Sequence, residues 1–132
     1  MPPKALPEKY VPSSLSESDR KRQMASIRRG TDRPQLQSFR SRRSKWVKRF
    51  EEKYDRKITD KEFIARTILS KAGIREILDK GMAAYYTSGS RPNQTKESWA
   101  FARLASVIMN GPARKVDQAT WDAHKITRRA RK

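Results

Sequence analysis

No cysteine occurs in the 132 residues, which removes disulfides, thiolate catalysis and most structural zinc sites together. Histidine occurs once, as His124, so a His-based metal cluster or a two-histidine relay is out of reach. No run of about 18 apolar residues is present, which excludes a membrane-spanning helix. The opening Met1-Pro2-Pro3-Lys4-Ala5-Leu6-Pro7 has no apolar stretch behind its lysine, so no secretory leader is expected. Acidic residues are also scarce: 14 Asp and Glu stand against 32 Lys and Arg, a formal charge of +18. With 35% hydrophobic and 35% charged residues, the chain has room for one domain with a modest core.

Surplus positive charges repel one another, so the folded state needs counter-charge from a partner. Nucleic-acid phosphates, acidic lipid headgroups and acidic proteins can supply it. The surplus is uneven. Residues 1–50 hold 14 basic and 4 acidic groups, residues 51–110 hold 11 and 8, and residues 111–132 hold 7 and 2. The ends read as adhesive and the middle as an ordinary domain.

Pro2, Pro3, Pro7 and Pro12 keep the first dozen residues extended, and Tyr10, Val11 and Leu15 are spaced to dock such an arm onto another surface. Ser16 with Glu17 and Asp19 signals a helix start, and Gly30 a stop. That helix offers only Met24 and Ile27 as larger apolar groups and needs a partner surface. A second basic helix is predicted from about Ser41, with Trp46, Val47, Phe50 and Tyr54 on one face. Thr59-Asp60-Lys61-Glu62 reads as a capping box for a helix ending at Gly73, followed by a short one from Ile74 to Lys80 that stops at Gly81. Arg75, Glu76 and Asp79 leave the latter without a basic reading face, which argues against a DNA-reading helix-turn-helix. Thr95 caps a core helix from Lys96 to about Met109 that carries Trp99, Phe101, Leu104, Val107 and Ile108. Asn110-Gly111-Pro112 stops it, and a last helix spans about Val116 to Ala123. The expected fold is all-α: a basic, proline-containing arm with one helix over 1–40, a compact helical domain over 41–124 and a basic tail over 125–132.

Two stretches carry groups suited to chemistry or binding. Tyr85, Tyr86, Ser88, Gly89, Ser90, Arg91, Asn93 and Thr95 read as a loop before the core helix. A nucleophilic serine there would need a base held against it, and His124 is distant in sequence. A phosphate or carboxylate clamped by Arg91 at the helix N-terminus is one reading. The stronger one is structural: Gly89 for a turn, Pro92 for rigidity, Arg91 bonding carbonyls, Asn93 and Thr95 as caps. His124 reads as a surface residue. Asn93-Gln94-Thr95 matches a glycosylation sequon, but with no leader expected the match is taken as chance. The second stretch interleaves cations and rings: Arg40, Arg42, Arg43, Lys45, Lys48 and Arg49 among Phe39, Trp46 and Phe50, with Arg128, Arg129, Arg131 and Lys132 at the far end. Such rings can stack on bases, but at helical spacing they are more often core. No zinc finger, RNP sequence or GXXG loop is present, so any phosphate binding would be sequence-blind.

The run Gly81-x-x-Ala84-Tyr85-Tyr86-Thr87-Ser88-Gly89-Ser90-Arg91-Pro92-Asn93-Gln94-Thr95-x-x-Ser98-Trp99-x-x-Ala102-Arg103-Leu104-Ala105-Ser106 resembles the signature of a small uncharacterised family. The opening Leu6-Pro7-x-Lys9-Tyr10-Val11-Pro12, followed by Leu15, Asp19-Arg20 and Gln23, is similar to it as well. Its members are small basic proteins of large double-stranded DNA viruses of algae and protists, and of some tailed phages. The resemblance implies a viral origin and transfers no catalytic residue. Together with the charge it leads to the expectation of a minor capsid protein on the inner side of the virion shell. Its basic arms would cement the acidic surfaces of neighbouring major and minor capsid proteins. The alternative is a DNA-binding, genome-packaging protein of the virion core. Neither reading calls for an enzyme, a cofactor or a metal.

Overall fold

The computed structural model describes residues 6, 8, 10–36, 44–87, 89, 90 and 92–126. Among these the fold is all-α, with seven helices: α1 Glu17–Arg29, α2 Lys45–Tyr54, α3 Lys61–Thr67, α4 Lys71–Thr87, α5 Lys96–Ile108, α6 Pro112–Val116 and α7 Gln118–His124. No helix of the described residues is long and apolar enough to cross a membrane. The chain gathers into two compact units, each discontinuous in sequence. One holds Met1–Arg42 with Met82–Trp99, the other Arg43–Gly81 with Ala100–Lys132. This division cuts across the sequential arm, domain and tail suggested by composition.

In the first unit, α1 begins where Ser16 accepts the Asp19 N–H and ends where Gly30 turns left-handed at φ 70°. The partner surface that α1 requires lies close by. Ile27 joins Val11, Leu15 and Leu36 in a buried cluster, with Leu6, Tyr10 and Met24 packed on its edge. Val11 and Leu15 are therefore spent inside their own unit and cannot dock onto a neighbour. Gln23 is wholly buried and donates to the Tyr10 and Ser90 carbonyls at 3.0 and 3.1 Å.

The second unit corrects two expected stops. Gly73 and Gly81 lie inside α4, not at helix ends. Both mark close approach: a Cβ on Gly81 would stand 2.7 Å from the Ala100 Cα, and one on Gly73 would stand 2.6 Å from the His124 Cβ. Sequence alone cannot distinguish a glycine that caps from one that admits a neighbouring helix. The cap of α3 is Asp60, which accepts the Phe63 N–H at 3.1 Å, and not Thr59. Ser44 caps α2, and the expected start at Ser41 lies outside the described residues. The last helix is two, α6 and α7, joined at Asp117. Beyond them Lys125 pairs with Leu69 in an antiparallel bridge, and the Ile126 N–H reaches the Ile68 carbonyl at 2.8 Å, so the tail is tied at its root. The core comprises Phe50, Ile64, Leu69, Ile77, Leu104 and Val107, all fully buried. Trp99, expected in such a core, is only half-buried in the first unit, edge-on to Tyr10 at 5.8 Å.

Candidate functional site

Tyr85 and Tyr86 stand on the last turns of α4 and not in a loop, because the helix runs on to Thr87. Tyr85 is buried; its hydroxyl donates to the Gln94 carbonyl at 2.7 Å and accepts the Arg33 N–H at 2.9 Å. Arg33 was not singled out by sequence, yet it organises this region. Its guanidinium lies 4.4 Å from the Tyr85 ring centre and donates to the Ser90 hydroxyl at 3.0 Å and to the Thr31 and Tyr85 carbonyls. Burial lowers the Arg33 pKa, and the neighbouring Tyr85 and Asp32 oppose that shift. Burial likewise raises the Tyr85 phenol, which keeps it a hydrogen-bond donor.

The other loop residues are engaged close by. Tyr86 donates to Asp32 at 2.8 Å. Gly89 sits at φ 107°, where a side chain would meet Tyr10 and Ile27. Asn93 accepts the Leu36 N–H at 2.7 Å and returns a bond to the Leu36 carbonyl at 3.3 Å, which ties it to the segment beyond α1. Thr95 does cap, by a reciprocal pair of 3.0 Å bonds with Ser98. Ser88 and Arg91 lie outside the described residues. A cavity of about 330 Å³ opens here, lined by Asp32, Arg33, Tyr85, Tyr86 and Gln94 to Glu97. Its charges balance, two cations against two carboxylates. Because the Arg33 donors are aimed at Ser90, Thr31 and Tyr85, the arrangement builds a fold more than an anion clamp.

The single histidine meets a serine outside that loop. Ser70 Oγ is hydrogen-bonded to His124 Nδ1 at 2.9 Å and also accepts the Gly73 N–H at 3.2 Å, so it caps α4. His124 is thus partly covered and not a plain surface residue. Its Nε2 stands 4.0 Å from Glu76, beyond hydrogen-bond reach, so the three groups do not form a relay. Glu76 instead accepts from Thr120 at 2.6 Å and pairs with Lys80 at 3.3 Å. Lys80 leads on to Asp117, which is held by Arg103 through two bonds of 2.8 and 2.9 Å. The network ties α4 and α5 to the α6–α7 corner. The described residues offer no cluster of three His, Asp or Glu that could hold a metal.

The Thr120 hydroxyl, then the Lys80 ammonium, holds the Glu76 carboxyl below its ordinary range. A folded value below the unfolded one contributes stability at neutral pH and loses it as pH falls through the folded value. Glu76→Gln should therefore flatten the acid limb of the melting profile below about pH 4.3. Parallel profiles for the two proteins would show that the tie contributes nothing.

The second candidate surface is the outward face of α2. Val47 and Phe50 point inward and are buried, while Lys45, Lys48, Arg49 and Lys53 are exposed. None of the four meets a carboxylate among the described residues. Lys45 and Arg49 rest on Trp46, 5.2 and 4.8 Å from its ring centre. That ring packs on Gly111, where a Cβ would come within 2.7 Å of it. Trp46 is thus committed to the fold on one side and to cations on the other, not presented for base stacking. Arg40, Arg42, Arg43, Arg128, Arg129, Arg131 and Lys132 lie outside the described residues.

Residues 7–128 match the family model of DUF5824, a family of unknown function, and the chain belongs to that family. No curated protein and no solved structure matches it.

Proposed function

We propose that the protein is a minor structural protein of a large double-stranded DNA virus, seated on the inner side of the shell and holding acidic surfaces of neighbouring capsid proteins. The observation that carries this reading is the exposed cation row of α2, whose four cations meet no carboxylate among the described residues, on a chain of net charge +18. The N-terminal segment contributes less than its composition suggests, since Val11, Leu15 and Ile27 are buried in its own unit. Bridging then falls to the α2 face and to the basic stretches around Arg40 to Arg43 and Arg128 to Lys132.

The alternative is a sequence-blind genome-packaging protein, favoured by the four-residue spacing of Lys45, Arg49 and Lys53 along one line of α2. Salt separates the two. A protein neutralising about six phosphates loses DNA affinity with a log–log slope of roughly −5. Carboxylate contacts in a joint shielded from solvent are screened less. When particles are opened and washed in salt that strips the DNA, the protein should remain with the shell at a fixed ratio to the major capsid protein. Recovery with the genome fraction, in amounts that track DNA length, would replace this reading with its alternative.

A further inference from the structure

Resting on the shell reading, we infer that the outward face of α2 docks a mainly acidic segment of another virion protein, one that places a basic group opposite Glu52. The residues Lys45, Lys48, Arg49, Glu52 and Lys53 fall within a sector of about 140° at 100° per residue and span about 12 Å of helix. All five are exposed. The row is therefore not uniformly positive: a lone carboxylate sits in its midst. Lys48 and Glu52 have the spacing of an i,i+4 pair, yet no ion pair joins them, and Glu52 has no partner among the described residues.

That carboxylate distinguishes the two polyanions a cation row can meet. A nucleic-acid strand carries a phosphate at every step, so Glu52 would face like charge wherever the helix lay. Like charges set against each other in an interface cost free energy. A protein segment has no such constraint, because one lysine or arginine among its acids satisfies Glu52 and fixes the register. Arg49 and Lys45 are also held in advance by the Trp46 ring, itself anchored on Gly111. Cations fixed beforehand lose less side-chain freedom on docking, which suits a defined protein contact.

The test uses the full-length protein, two variants and two probes: virion shells stripped of nucleic acid, and a short random-sequence DNA duplex. Lys48→Glu with Arg49→Glu should lower shell binding about thirtyfold, as two attractions become two repulsions of ordinary surface size. Glu52→Lys, which adds positive charge, should lower shell binding about fivefold and strengthen duplex binding. Melting temperatures check that both variants fold. Glu52→Lys binding shells as well as or better than the wild type overturns the docking register, as does an unaffected double variant. Either result leaves the shell reading standing if the wild-type protein still binds shells. A wild type that ignores shells but binds the duplex, with a gain from Glu52→Lys, removes both.

Discussion

Replacing Asp117 by alanine should cost about 3–5 kcal/mol, because it strands Arg103, which meets no other carboxylate among the described residues. The Asp117 side chain is fully buried, and both of its oxygens accept from Arg103, with Lys80 at 3.8 Å. The Arg103 side chain is itself only 21% exposed, so water cannot replace the lost partner fully. Total stabilities of 5–15 kcal/mol make such a loss severe. Asp117→Ala combined with Arg103→Met should recover part of the deficit, since the cost lies in the unpaired charge more than in the missing bond. Urea midpoints at constant m-value measure this. A midpoint shift no larger than that of a surface substitution would show the pair to be dispensable.

Neither partner of that pair was visible as such in the sequence, whereas several helix ends were. Ser16, Gly30 and Thr95 act through bonds to residues three or four positions away, and such bonds leave a local trace. Gly73 and Gly81 carry the same local trace as Gly30, yet serve contacts with His124 and Ala100 far along the chain. Reading them as stops joins the first turn of α4 to the helix before it, ends the next helix at Gly81 and puts the tyrosine pair in a loop. The all-α class survives such an error, because class depends on periodicity and not on boundaries.

For the sites, the cationic face of α2 was legible from its 3.6-residue pattern, which separates Val47 and Phe50 from Lys45, Lys48 and Arg49. The organising role of Arg33 was not. Its partners Tyr85 and Ser90 are 52 and 57 residues away, and Pro34 beside it suggests only an interruption. An arginine among small polar residues, Arg91, carried the more conspicuous sign of a carbonyl-binding cation. What could have pointed to Arg33 is the buried chemistry opposite it. A tyrosine hydroxyl, a serine and helix-terminal carbonyls left without water must find donors somewhere.

Arg33→Ala should therefore open the first unit, at a cost of about 3 kcal/mol for losing charge-assisted bonds to buried acceptors. The guanidinium serves the Ser90 hydroxyl, the Thr31 carbonyl and the Tyr85 carbonyl at once, and it covers the Tyr85 ring. Its own backbone N–H still holds the Tyr85 hydroxyl at 2.9 Å, so the phenol would remain partly placed. Arg33→Lys should recover only a minor part, because an ammonium cannot reproduce a planar fork aimed at three acceptors. Tyr85→Phe should cost less than Arg33→Ala, since the ring stays as packing and the losses are the bonds to the Gln94 carbonyl and from the Arg33 N–H. Amide exchange locates the effect: protection should fall over Ile27 to Leu36 and Tyr85 to Thr95. If Arg33→Lys melts with the wild type, the fork is not what holds Ser90 and Tyr85 together, and burial of the Ile27 and Leu36 side chains must suffice.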